Sequence, residues 1–187
     1  MILCIFVSVL AIASANFDYP GRPDLEDVKK FYQPGSIIYS LKRTYFSKIE
    51  GEDPICIHNK VENFSDSTIT LMQGYAYHSG KISVYYPVKM DVSRATGYDV
   101  APLLRAVQTS PPDMKRQYFF HYYDPVAQCA VLTFKDYTGT LRCELHTWKE
   151  KASYKFYGNC QDEYDYQCPG RKSHSVYLYD CPNAASS

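Results

Sequence analysis

The sequence predicts an all-β fold, an antiparallel sandwich or closed barrel, on three observations. About eight short segments alternate apolar and polar side chains with a period of two, a helical pattern occurs only ahead of them, and no strand–helix–strand rhythm appears. The 19 Tyr and 9 Phe against one Trp add to this, because such aromatics favour strands. Lys+Arg and Asp+Glu are equal at 20 each, which argues against a phosphate-binding nucleic-acid partner and against a polybasic membrane-surface protein. With 45% hydrophobic residues, the 187-residue chain can bury the core of one domain.

Residues 1–15 (MILCIFVSVLAIASA) hold no charged side chain, an apolar stretch too short to span a bilayer, and the small-residue site Ala13-Ser14-Ala15. That is the pattern of a secretory signal peptide, so the mature chain is expected to be residues 16–187, one domain, secreted and without a membrane span. Removing the leader removes Cys4 and leaves Cys56, Cys129, Cys143, Cys160, Cys168 and Cys181. An even set in an exported chain reads as three disulfides, whose pairing the spacing does not choose. No C-x-x-C pair occurs, so zinc spacing is absent and neither metal nor cofactor is expected. Asn63-Phe64-Ser65 is a glycosylation acceptor, expected at the surface.

Along the mature chain, Pro20, Gly21 and Pro23 mark an irregular lead-in. Asp24 caps a short helix with Leu25, Val28, Phe31 and Tyr32 on one face, and Pro34-Gly35 stops it. The period then becomes two: Ile37, Tyr39, Leu41, Arg43 and Tyr45 share one face of a strand, and Ser40, Lys42 and Thr44 the other. Residues 55–63 and 67–78 are further strands. In 81–91, Val84, Tyr86, Val88 and Met90 oppose Tyr85, Pro87, Lys89 and Asp91, with Pro87 suited to an edge or non-bonded position. A strand over 98–104 precedes a loop containing Pro111 and Pro112. Strands follow over 117–123, 128–135 and 140–149, the last two joined by a hairpin turn containing Asp136 and Gly139. Residues 164–170 read as a tied-down turn or short helix, and 175–179 as a final strand pinned by Cys181.

Catalytic patterns are absent: there is no G-x-S-x-G, H-E-x-x-H, P-loop or dinucleotide fingerprint, and the five histidines are scattered. A Ser–His–Asp site assembled across strands would be defined by geometry and has no local context here. Asp162, Glu163 and Asp165 lack the ligand spacing and Gly of a calcium loop and read as a solvated turn. The expectation is a non-enzyme. A small barrel can hold one ligand, and aromatic-rich strands can line it, although any single Tyr is more often plain core packing.

Tyr122-Tyr123-Asp124, Cys129-Ala130-Val131, Cys143-Glu144-Leu145, Trp148, Cys160, Cys168 and Cys181 together resemble the tick salivary lipocalins, the family that contains the histamine-binding proteins. The N-terminal helix, the 36–46 strand and the early Cys56 fit the same layout. The resemblance implies an eight-stranded antiparallel barrel with a flanking helix, an internal pocket and a disulfide-tied C-terminal segment. It also implies the pairs Cys56–Cys181 and Cys129–Cys160, leaving Cys143–Cys168. Of the family's amine-binding signature, Cys129, Val131, Glu144, Leu145 and Cys160 match, but Ala130 stands where an acid is expected and His146 where Trp or Tyr is expected. An amine cation in a low-dielectric pocket needs a counter-charge, so a missing acid weakens that site.

The face of the last strand is where the resemblance and the pattern disagree. The resemblance turns Ala130, Leu132, Phe134, Arg142, Glu144, His146 and Trp148 inward, whereas alternation alone would turn Leu141, Cys143 and Leu145 inward and leave Arg142, Glu144 and His146 in water. The implied function is a secreted carrier that sequesters a small host mediator. Glu144 would be its anchor, Trp148, Tyr39 and Tyr118 its aromatic wall, and Arg142, His146 or Arg43 the partner of an anionic head. The ligand would be an amine such as histamine or serotonin, or an amphipathic lipid such as a leukotriene or fatty acid. The rival is a protein-interaction module that blocks a host plasma protein through a tyrosine-rich outer surface.

Overall fold

Asp24 does what its position predicts: its Oδ1 accepts the backbone N–H groups of Glu26 and Asp27, and Asp27 returns a carboxylate to the Asp24 N–H. This caps helix α1 (Leu25–Phe31), which ends ahead of Gly35, a residue at φ 88°. The structure is a computed structural model that describes residues 22–49, 51–78, 81–94, 101–108, 115–153, 158–177 and 181. The predicted leader, and the 98–100 part of the strand predicted over 98–104, lie outside them.

Eight strands follow: β1 (Ile37–Arg43), β2 (Ile55–Ser65), β3 (Thr68–Tyr77), β4 (Ile82–Arg94), β5 (Pro102–Gln108), β6 (Lys115–Asp124), β7 (Cys129–Lys135) and β8 (Leu141–Trp148). Each pairs antiparallel with the next, and β1 pairs with both β2 and β8, so the sheet closes into a barrel. Helix α2 (Gly158–Gln167) and the two-residue strand β9 (His174–Ser175) come after it. β9 pairs with Lys42 and Arg43 of β1, beyond the Ile37–Tyr39 stretch that pairs with β2. Among the described residues no helix is long and apolar enough to cross a membrane.

Two apolar clusters hold this together. Inside the barrel, Val28 and Phe31 of α1 and Tyr32, the residue that caps it, pack in one cluster with Phe120, Tyr123, Ala130 and Leu132, so the helix closes one end. The Trp148 indole N–H donates to the Phe31 carbonyl at 2.9 Å and fastens the helix there. Outside the barrel, α2 and the C-terminal segment cover Tyr39, Leu41, Val131 and Leu145. This second cluster contains all three disulfides, Cys56–Cys181, Cys129–Cys160 and Cys143–Cys168. β7 and β8 are therefore buried on both faces.

Several sequence-based expectations need correction. β1 does not keep one face: a bulge between Ser40 and Lys42 leaves Ile37, Tyr39 and Leu41 outward in the second cluster. Beyond it, Arg43 and Tyr45 join Ser40 at the barrel interior. β5 runs on to Gln108, into the segment read as loop, because Leu104 and Ala106 continue the inward row. The stretch 164–170, read as a turn or short helix, holds the end of a helix described from Gly158 to Gln167, and the strand expected over 175–179 is only His174–Ser175 within the described residues. Pro87 faces Met72 of β3 and lies one residue beyond the described β4–β5 pairing, which starts at Val88, so the ladder does not need its missing N–H there.

Candidate functional site

At the end of the barrel opposite α1 the interior opens into a two-part cavity. The inner part, about 80 Å³, lies over Tyr32 at the C-terminal end of α1 and is walled by Leu71, Val88, Met90, Leu132 and His146. That is room for a few waters or one small ring. The outer part, about 380 Å³, is lined by Ser40, Arg43, Tyr45, Lys48 and Tyr75, and its size falls in the range of small-molecule pockets. Arg116, Tyr118 and Glu144 line both parts, so the charged centre sits where the two meet.

Strand geometry builds this centre. Arg116 and Tyr118 are two apart on β6, and Glu144 and His146 are two apart on β8, so each pair shares the inward face. Between them β7 contributes Leu132, opposite Glu144, and Phe134. Glu144 is 5% exposed, and both of its oxygens are occupied. Oε1 accepts from the hydroxyls of Tyr45 at 2.6 Å and Tyr118 at 3.2 Å, and lies 3.6 Å from Arg116 Nη1. Oε2 accepts from His146 Nε2 at 2.7 Å. Arg116 Nη1 donates in turn to both phenol oxygens at 3.0 Å, completing a chain from guanidinium to phenol to carboxylate. The remaining His146 nitrogen, Nδ1, and the hydroxyl of Ser40, its cross-strand neighbour, are buried without a hydrogen-bond partner among the described residues.

The far wall is neutral. Gln73 donates to Asn59 Oδ1 at 2.8 Å and accepts from the Tyr86 hydroxyl, a ladder across β2, β3 and β4. At the rim, Arg43 pairs with Asp53 at 2.5 Å, and Asp53 also holds His174 at 2.8 Å and the Ser47 N–H at 2.9 Å. These contacts tie the loop that follows β1 to β9.

Burial pushes the Glu144 carboxyl up, but the hydrogen bond and charge of His146, the Arg116 charge and the Tyr45 hydroxyl outweigh it and hold the group at about 2. Burial disfavours the Arg116 cation, yet Tyr118, Tyr45 and Glu144 more than offset that and hold its pKa above the usual value. Burial, then Glu144, pushes the Tyr45 phenol well up. A carboxyl whose folded pKa is depressed stabilises the fold above its unfolded pKa, and that stability is lost as pH falls toward the folded one. Glu144 should therefore steepen acid unfolding between about pH 4.5 and 2. In urea titrations across that window, the stability of Glu144→Gln should depend less on pH than that of the parent; equal slopes would contradict the assignment.

Of the residues singled out from sequence, Glu144, His146 and Tyr118 line the cavity, and so does Arg43. Trp148 turns inward but at the closed end, under α1. Tyr39 is outside the barrel wall, where its hydroxyl donates to the Cys181 carbonyl at 3.0 Å. Arg142 is bound by Asp136 in the β7–β8 turn at 2.7 Å and lies outside the cavity lining. Ala130, in the place of the signature acid, is fully buried opposite His146. Sequence reasoning misses Arg116, Tyr45 and the Asn59–Gln73–Tyr86 ladder as site residues. The strand predicted over 117–123 stops one residue short of Arg116; period two extended backwards from Tyr118 would include it. Among the described residues no cluster of His, Cys, Asp and Glu could hold a metal ion.

The family model described as tick histamine binding protein matches residues 22–183 of the chain. No curated protein matches it. Among solved structures, the AM182 serotonin complex aligns with a TM-score of 0.60 at 17% identity, covering 91% of this chain and 98% of that one. The LTBP1 LTC4 complex aligns with a TM-score of 0.52 at 14% identity, covering 85% and 91%. At such identities the likeness is one of fold.

Proposed function

This chain belongs to the tick histamine-binding protein family, and we propose that it is an exported carrier which sequesters a small amphipathic host mediator in its barrel. The mediator's head would be anionic or hydrogen-bonding rather than a free amine. One observation carries the choice: the carboxylate that would anchor an amine, Glu144, already has both oxygens taken by Tyr45, Tyr118 and His146, with Arg116 as its internal counter-charge. An incoming ammonium would have to displace these groups, whereas the mouth sets three cations, Arg116, Arg43 and Lys48, against the two carboxylates that pair with the arginines, Glu144 and Asp53, a balance that favours an acidic head. The inner part offers apolar wall to a tail, and Ser40 and His146 offer unmet polar atoms to a hydroxyl. LTBP1, similar in fold, is described in complex with LTC4.

The amine reading has its own support. Glu144 stays ionised while buried, and AM182 is described in complex with serotonin. Export is supported by the leader pattern of residues 1–15 and by the three disulfides. Asn63 is exposed on β2 and would carry a glycan. Capture of a mediator at the feeding site would blunt the host's inflammatory response.

Calorimetric titration of the oxidised chain 16–187 against histamine, serotonin, a leukotriene and arachidonate is the test. Saturable one-to-one binding of the leukotriene or arachidonate, at least tenfold tighter than either amine, is expected. Tighter amine binding that Glu144→Gln abolishes would replace this reading with the amine one. Silence across the panel in a correctly bridged protein would favour docking of a host protein on the outer surface instead.

A further inference from the structure

We infer that Arg116 is the resident cation of an organic-ammonium site and sets ligand specificity by keeping free amines out of it. The surroundings of its guanidinium are those a protein presents to a bound ammonium ligand. Its central carbon lies 4.2 Å from the Phe134 ring centre, 5.3 Å from that of Tyr45 and 5.7 Å from that of Tyr118. The Tyr45 and Tyr118 rings meet Phe134 edge to face at 5.1 and 5.3 Å, so the three form one assembly. Glu144 closes the fourth side at 3.6 Å.

A structural ion pair would account for the charge pairing alone, but the placement goes further. Arg116 borders both parts of the cavity and its side chain is 29% exposed. It stands in ligand space, not in a sealed core. Removing it would therefore leave room continuous with the cavity, still walled by three rings and a buried carboxylate. While Arg116 is present, a second cation meets an already compensated Glu144 and a like charge beside it. The inference rests on the carrier reading only in taking the barrel interior as ligand space.

The test compares the wild type with Arg116→Met and Arg116→Lys by calorimetric titration with histamine and tetramethylammonium, after the three disulfides have been confirmed by mass. Arg116→Met should bind both probes saturably, at least tenfold tighter than the wild type, and Glu144→Gln in the same chain should erase the gain. Arg116→Lys, which keeps a cation in place, should show no gain. Should Arg116→Met fail to fold without ligand, its refolding yield with and without histamine reads the same property, and recovery only with histamine is expected. Failure of the folded Arg116→Met chain to bind better than the wild type would overturn the inference. So would a gain that survives Glu144→Gln, or a refolding yield indifferent to histamine. The leukotriene and arachidonate titrations of the wild type are separate: their failure removes the carrier reading and leaves the amine result of Arg116→Met standing.

Discussion

Replacing Cys56 and Cys181 together by Ala should lower stability in urea by about 4–5 kcal/mol. The bridge spans 125 residues, and closing a loop of that size costs the unfolded chain about 5 kcal/mol of entropy in the chain-entropy model. The Cys129–Cys160 bridge, which spans 31 of those residues, shortens the effective loop to roughly 95 residues, which changes that figure by only about 0.25 kcal/mol. Against a typical total of roughly 5–15 kcal/mol, the loss leaves a marginal protein. The native side of the bond points the same way. Near it the Cys56 N–H donates to Val176 at 2.7 Å, Val176 donates to Leu41 at 3.0 Å, and the Tyr39 hydroxyl donates to Cys181. With the bridge gone, non-covalent contacts must hold the C-terminal segment over Tyr39 and Leu41, among them these bonds, the two-residue β9 pairing, the His174–Asp53 pair and the Tyr177 ring against Tyr39. Hydrogen exchange should then show the Leu41 and Val176 region opening first. An unfolding free energy within about 1 kcal/mol of the parent's would mean that docking, not the covalent link, supplies the stability.

Phe31→Ala should cost about 3–5 kcal/mol, the usual range for removing a buried phenylalanine. The ring is fully buried and meets Tyr32 at 5.1 Å, and Phe120 and Tyr123 at 5.6 Å each, so no neighbouring chain can collapse into the space without moving another aromatic. The loss also reaches the cavity, because Tyr32, the next residue, forms part of its inner wall. Ligand affinity should fall along with stability. Phe31→Leu, which keeps most of the volume, should cost less than about 1.5 kcal/mol and leave affinity nearly unchanged. A Phe31→Ala protein as stable as Phe31→Leu would show that α1 is not a structural plug.

The parts of the molecule governed by local interactions are legible in the chain itself. Asp24 and Pro34-Gly35 bound α1, the alternating rows mark six of the eight barrel strands closely, and the Asp136–Gly139 turn joins β7 to β8. Helix α2 is harder to see because its sequence, GNCQDEYDYQ, has almost no apolar periodicity. Besides the buried Tyr164, it is tied by covalent bonds at Cys160 and, next to its end, at Cys168, and a disulfide leaves no period-3.6 trace. The family resemblance carries the disulfide pairing; spacing leaves it open.

The site divides along the same line. Residue type and family likeness single out Glu144, but alternation does not show which way it faces. Contrast between a wet and a dry face is what makes alternation readable, and β8 has none: Cys143 and Leu145 are buried under α2 while Glu144 and His146 are buried in the barrel. The bulge at Ser40 and Lys42, which brings Arg43 and Tyr45 to the mouth, is a three-strand accommodation between β1, β8 and β9. Neighbouring residues are enough to specify an antiparallel all-β class, sandwich or barrel, and the helix ahead of it, because each is a property of a short stretch of chain; the closed barrel and the inward acid come from the family likeness. The counter-charge of that acid comes from neither: Arg116 lies 28 residues away in sequence, and the pair exists because the folded barrel inserts β7 between β6 and β8 and so sets them at a distance a guanidinium can span.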